Sequence, residues 1–262
     1  MKQILILFAL TTFAVQSAEI VYTNSGNVKY GMLNRGSGPQ AVLFVLATNI
    51  EQTLDAAQPY NETGRLLYAD NFLIVSLDLP AHGADDIPGQ PGGLDGWRYR
   101  IEQGIDVATY FANRAKLVLD ELITKGYADS GKVYALGTSR GGFMAMQFAD
   151  QDLRVRGVVG FCPVTRLGTL TEFNSFAGSS NPAAISSMSL VHSASRLSGK
   201  RLRLYSGPDD TRVGTVWTVD FVRALNLLSP TQDCILTVKA AVDHNTPSGS
   251  YVDVAAWLRT LP

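Results

Sequence analysis

Lys132-Val133-Tyr134-Ala135-Leu136-Gly137-Thr138-Ser139-Arg140-Gly141-Gly142 is the stretch on which the fold turns. An apolar run, Lys132–Leu136, leads into the pentapeptide Gly137-Thr138-Ser139-Arg140-Gly141, and a run of helical character, Gly142 to Ala149, leads out of it. A G-x-S-x-G turn between strand and helix forces the serine backbone into a region most side chains avoid. Glycines at 137 and 141 relieve the crowding, because they carry no Cβ to strike the adjoining strand and helix. Such a turn lifts the hydroxyl above the sheet. The helix N-terminus beside it favours negative charge, which suits an oxyanion forming at an attacked carbonyl. On its own the pattern also serves as a purely structural glycine turn. The bracketing strand and helix point to a nucleophile.

Working outward, strand-like runs fall at Glu19–Tyr22, Val28–Leu33, Ala41–Leu46, Phe72–Leu77, Lys132–Leu136, Val158–Cys162, Arg201–Tyr205 and Cys234–Val238. The first two are short and separated by Asn24-Ser25-Gly26-Asn27, which reads as an antiparallel hairpin. The later ones are continuous Val/Ile/Leu/Phe runs, as expected of strands covered on both faces. Helical stretches lie between them at Tyr110 to Lys125, Gly142 to Ala149, Val216 to Leu228 and Ser250 to Leu261. In the first of these, Phe111, Ala115, Val118, Leu119 and Leu122 recur at helical spacing. This alternation predicts an α/β fold, a mostly parallel eight-stranded twisted sheet with helices on both faces. No internal repeat or linker divides the chain, so a single domain over residues 19–262 is expected.

Two segments break the alternation. Gly83 to Gly96, rich in Gly, Pro and Asp, reads as a loop; Pro163 to Gly199 is rich in Ser, Thr, Asn and Gly with weak helical character. Both leave the carboxyl ends of strands, where open α/β sheets bind ligands, so both are expected to line the pocket.

A serine hydroxyl needs an adjacent base, and the chain has three histidines. His82 lies in a loop after a strand and His192 in a polar helical segment. His244 follows the last strand and precedes the final helix, at the same sheet edge as Ser139, and is the best base by position. The orienting carboxylate has two candidates, Asp209 and Asp210, after the penultimate strand. The chain order is then Ser…Asp…His.

Bulk properties are those of a globular enzyme. The 262 residues are 46% hydrophobic and 17% charged, with a formal net charge of −1. That balance excludes a disordered chain and leaves no field to draw in nucleic acid or an anionic membrane. The short basic stretches Arg154-Val155-Arg156 and Lys200–Arg203 read as solvated sheet ends. Lys2, the apolar run Ile4 to Val15 and the small residues around Ser17 and Ala18 read as an export signal over residues 1–18. The mature chain would start near Glu19 and work as a secreted or periplasmic protein without stable membrane insertion. The two cysteines, Cys162 and Cys234, end one strand and begin another, at opposite edges, so two buried free thiols are expected. Asp78, Asp85 and Asp86 beside His82 read as solvated carboxylates rather than a metal site. Trp97, Trp217 and Trp257 read as core or pocket-wall aromatics. Gly36-Ser37-Gly38 lacks the helix a phosphate loop needs, and no cofactor is expected.

Taken together these motifs resemble the α/β-hydrolase fold serine hydrolases over essentially the whole mature sequence. Gly137-Thr138-Ser139-Arg140-Gly141-Gly142 is similar to that superfamily's nucleophile elbow, with an Arg-Gly-Gly extension like that of the prolyl oligopeptidase and dienelactone hydrolase branches. Leu77-Asp78-Leu79-Pro80-Ala81-His82-Gly83 resembles the D-x-P-G-H-G loop, whose His is structural. Gly207-Pro208-Asp209-Asp210-Thr211-Arg212-Val213 is similar to G-x-x-D-x-x-V, which assigns the acid to Asp210 over Asp209. Asp243-His244 matches the family's histidine. The resemblance implies a Ser139–His244–Asp210 triad, a small cap or none, and an oxyanion hole from the backbone amides of Arg140 and Thr48. Where the family often carries His-Gly, this chain reads Ala47-Thr48-Asn49. No β-propeller-sized stretch precedes the domain, so an oligopeptidase gate is not expected. Carboxylic ester hydrolysis, on small or polysaccharide-linked esters, is the leading activity. A peptidase or amidase using the same triad, and an inactive binding module, are the alternatives.

Overall fold

Continuous apolar runs become central strands because both faces of each strand are covered. The computed structural model of the protein describes residues 17–174, 182–229 and 233–262; the export signal read over 1–18 lies outside these except for Ser17 and Ala18. Its strands are β1 (Glu19–Tyr22), β2 (Lys29–Leu33), β3 (Gln40–Leu46), β4 (Phe72–Leu77), β5 (Ala128–Thr138), β6 (Val155–Phe161), β7 (Arg201–Ser206) and β8 (Cys234–Val238). The helices among the described residues are α1 (Ile50–Leu54), α2 (Glu62–Leu66), α3 (Gly93–Glu102), α4 (Val107–Thr124), α5 (Arg140–Gln151), α6 (Thr171–Asn174), α7 (Pro182–Ser187), α8 (Leu190–Leu197), α9 (Thr215–Leu228) and α10 (Ser250–Arg259).

One sheet takes all eight strands in the order β1-β2-β4-β3-β5-β6-β7-β8. The expected hairpin is there: β1 pairs antiparallel with β2, and the turn sets Gly26 and Asn27 at φ +77° and +48°. β2 also runs antiparallel to β4, and all remaining pairs are parallel.

Side-chain alternation sorts the apolar runs into two cores. From β3, Val42, Phe44 and Leu46 pack under α3, α4, α5, α8 and α9 on one face. Leu43 and Val45 meet Ile50 and Leu54 of α1 and Val254, Ala255 and Leu258 of α10 on the other. Helix α4 carries the predicted stripe, with Phe111, Ala115, Val118, Leu119 and Leu122 all buried, and Asp106 caps it by accepting from the amides of Ala108 and Thr109 at 3.0 Å. Helix α5 is buried on nearly every side, from Gly141 to Asp150, and its buried polar residues are engaged: Gln147 donates to the Met188 carbonyl and Asp150 accepts from Arg196.

The structure corrects several expectations. Gly83 to Gly96 is not loop to its end: α3 begins at Gly93, and Leu94, Trp97 and Ile101 are buried at helical spacing. Helices α1 and α2 were not anticipated, because each is only five residues long. Asp85 is not solvated; its carboxylate accepts from the Ala81 amide at 2.8 Å and the Tyr110 hydroxyl at 2.6 Å and pairs with Arg100 and Arg114. Asp78 is likewise buried, accepting from the amides of Ile50 and Ala84. Both carboxylates therefore brace the chain after β4. Lys200 is buried rather than solvated and donates to the carbonyls of Asp152 and Val155. Both cysteines are free, but only Cys162 is buried; Cys234 is half-buried because β8 is an edge strand. No helix among the described residues is long and apolar enough to cross a membrane.

Candidate active site

Parallel strands β3, β5, β6, β7 and β8 send their carboxyl ends to one rim, and the chemistry collects there. At the end of β5, Ser139 is held at φ +55° and ψ −117°, in the region forbidden to most side chains. Its amide donates to the Phe161 carbonyl at 2.8 Å, and its carbonyl accepts from Phe143 and Val164. The flanking glycines are there for space. A Cβ on Gly137 would sit 2.1 Å from the backbone of Gly141, and one on Gly141 would sit 1.9 Å from the Leu46 carbonyl oxygen.

His244 descends from the segment between β8 and α10. Its Nε2 is 2.8 Å from Ser139 Oγ, and its Nδ1 is 2.8 Å from Asp210 Oδ2. The second carboxylate oxygen of Asp210 accepts from the amides of Arg212 and Val213 at 3.1 Å each, which fixes the plane of the acid. The Asp210 side chain is fully buried, whereas Asp209 is exposed, so Asp210 is the carboxylate that reaches the imidazole. Asp243 sits at φ +46° and accepts from the Thr211 amide and hydroxyl, lacing the Asp210 and His244 loops together.

These side chains open onto a cavity of about 410 Å³. Thr48 and Arg140 line it with Ser139 and His244, as do Tyr60, Leu94, Arg212, Thr246 and Tyr251. The Thr48 amide makes one long bond, 3.3 Å to Thr53 Oγ1. The Arg140 amide opens α5, where an N–H has no carbonyl one turn earlier to bond. Of the two segments expected to line the pocket, only Leu94 of the first does so. No described residue of 163–199 lines it, although Thr171 and Glu172 hold Arg212 from behind. That segment packs on α5 instead, where Gln147 donates to the Met188 carbonyl at 3.2 Å and Arg196 pairs with Asp150; residues 175–181 lie outside the described part. Tyr60, Arg212 and Tyr251 are lining residues that sequence reasoning did not single out. Arg212 had a signal, two residues after the acid; the tyrosines had none.

His82 and His192 stand apart from the hydroxyl. His192 is exposed on α8. His82 bonds Pro80 O through Nδ1 at 2.8 Å and Arg140 Nη1 through Nε2 at 2.9 Å. Since guanidinium can only donate, His82 is the neutral Nδ1–H tautomer. Burial, and then the nearby Arg140 charge, hold its pKa below the usual 6.5.

One group of potential metal ligands lies together among the described residues: Cys162, Asp210 and His244, with ligand atoms within 4.8 Å of one another. Two of the three are already bonded to each other. Burial, followed by the Asp210 charge, pushes the Cys162 thiol up to about 12, and its Sγ donates to the Asn245 carbonyl at 3.2 Å. Trp97 is buried core, while Trp217 and Trp257 carry the guanidiniums of Arg166 and Arg203 on their faces.

A sequence profile of the alpha/beta hydrolase family matches residues 57–261. No curated protein matches the chain in sequence. Among solved structures, a Thermus thermophilus protein superposes with a TM-score of 0.69 at 17% identity, covering 93% of this chain and 98% of that one. Dipeptidyl peptidase 4 of Porphyromonas gingivalis gives 0.70 at 16% identity over 93% of this chain, which spans only 35% of that protein. Acetyl xylan esterase 1 of a Thermoanaerobacterium species gives 0.67 at 14% identity, over 95% and 84% of the two chains. At these identities the likeness carries the fold, and not the substrate.

Proposed function

We propose, since the chain belongs to the alpha/beta hydrolase family, that it is a serine hydrolase cleaving carboxylic esters through Ser139, His244 and Asp210. One observation carries the reading: a single imidazole lies 2.8 Å from a serine hydroxyl on one side and 2.8 Å from a buried carboxylate on the other. In that arrangement His244 Nε2 takes the Ser139 proton as Oγ attacks the ester carbonyl, while Asp210 steadies the imidazolium through Nδ1–H. The tetrahedral oxyanion is received by the amides of Arg140 and Thr48. Collapse breaks the carbon–oxygen bond, His244 Nε2–H protonates the leaving alcohol, and a water activated by the same nitrogen clears the acyl-serine. The strained Ser139 backbone supports this reading, since strain of that kind is kept where a side chain must be presented.

A peptidase or amidase with the same triad is the second reading, drawn from peptidase neighbours of the fold such as the Porphyromonas enzyme. The test uses the chain expressed with its apolar leader, which we take as an export signal. The mature protein, beginning near Glu19 by intact mass, is assayed on a para-nitrophenyl ester and an aminoacyl para-nitroanilide. Ester turnover exceeding anilide turnover by more than their intrinsic reactivity difference is expected. Comparable or faster anilide cleavage would transfer the assignment to the peptidase reading.

A further inference from the structure

Two arginines, Arg140 and Arg212, line the cavity that holds Ser139 and His244, and no Asp or Glu among the described residues lines it with them. Arg212 has its counter-ion behind the wall: Nη2 meets Glu172 Oε1 at 2.5 Å and Nη1 donates to Thr171 Oγ1 at 2.8 Å. Arg140 is different. It forms no ion pair with a carboxylate among the described residues, and its guanidinium donates instead to neutral His82. The charge of Arg212 acts against it, and the carboxylate that favours it, Glu172, is already paired with Arg212. Desolvation, then the like charge of Arg212, pull the Arg140 pKa below its ordinary value, yet a guanidinium does not give up its proton near neutrality. A half-buried cation without its own carboxylate is costly unless something else balances it.

We infer that the substrate carries a carboxylate, which Arg140 recognises, with Arg212 adding to the positive field, while its ester carbonyl sits at Ser139. Guanidinium is suited to this, because its planar fork matches a carboxylate in a bidentate pair. The substrate class is thus a half-ester of a dicarboxylic acid or an ester of a carboxylated alcohol, and this deepens the hydrolase reading on which it rests. Arg140 would serve twice, its amide toward the oxyanion and its side chain toward the substrate anion.

Paired esters test it. Mono-para-nitrophenyl adipate is compared with para-nitrophenyl hexanoate for an anion on the acyl side. Para-carboxyphenyl butyrate is compared with para-carbamoylphenyl butyrate for one on the alcohol side. In at least one pair the charged ester should have a kcat/KM about tenfold or more higher, expressed mainly in KM, as expected for a charge-assisted pair. In Arg140→Gln that ratio should fall to about one whatever the absolute rates, and Arg140→Lys should recover part of it. A ratio at or below one in both wild-type pairs, or a ratio unchanged by Arg140→Gln, overturns the inference while leaving ester hydrolysis intact. A turnover-free readout separates the two readings: titration of adipate and benzoate into the Ser139→Ala protein at fixed ionic strength. Saturable binding that Arg140→Gln abolishes supports the anion site even if no ester is hydrolysed; no binding of either carboxylate counts against it.

Discussion

At Ser139 a non-glycine residue accepts φ +55°, and every neighbour makes that tolerable: Phe161 takes its amide, Phe143 and Val164 share its carbonyl, and two glycines vacate the space around it. His244 and Asp210 are equally constrained, the acid by two backbone amides and the imidazole by bonds at both nitrogens. His82 shows how a residue outside the reacting group sets conditions for it. Accepting from Arg140 requires Nε2 to be unprotonated, and burial with the adjacent guanidinium keeps it so. The sign follows from proton counting. Below pH 6.5 the unfolded chain binds a proton at this histidine that the folded chain refuses, so stability is present above the unfolded pKa and falls as the pH drops past it. At pH 5.5 the loss from His82 is at most about 1.4 kcal/mol, one pKa step below the reference value. Urea unfolding of wild type and His82→Gln at pH 7.5 and 5.5 checks this; the variant should lose less stability between the two. An equal loss in both would assign the pH dependence elsewhere.

At the scale of elements, the turn from β5 into α5 leaves no space for a Cβ at Gly137 or Gly141. The Gly137 site has its would-be Cβ 2.1 Å from backbone atoms of Gly141, and backbone cannot step aside as a flexible side chain does. Gly137→Ala should therefore lower unfolding free energy on the order of 3 kcal/mol, read from urea midpoints. A variant within about 0.5 kcal/mol of wild type would mean the turn has slack. This element was legible from residues alone, because glycine spacing, an apolar run before and helical character after agree. Helix α3 was missed: Leu94, Trp97 and Ile101 recur at helical spacing, but the Gly/Pro/Asp composition just upstream read as loop. Helices α1 and α2 were not legible, since five residues complete barely more than one turn and show no period. Nor could composition reveal Asp85 at the centre of Arg100, Arg114 and Tyr110, a contact made between segments.

For the whole molecule, the sheet order β1-β2-β4-β3-β5-β6-β7-β8 is what turns sequence distance into proximity. Residues 139 and 244 are 105 positions apart, yet their reacting atoms are 2.8 Å apart, because β5, β6, β7 and β8 run parallel and end on one rim. That convergence was legible once chain order was combined with strand ends. The pocket walls were not: Tyr60 arrives from between α1 and α2 and Tyr251 from the start of α10, places set by packing rather than by pattern. Everything proposed for the chemistry depends on His244 raising the nucleophilicity of Ser139. The most direct test is labelling of the mature protein with a fluorophosphonate, with the modified peptide identified by mass spectrometry. The account predicts one adduct, on Ser139, absent in Ser139→Ala and slowed at least a hundredfold in His244→Ala. An adduct on another residue, or labelling at an unchanged rate without the imidazole, would contradict it.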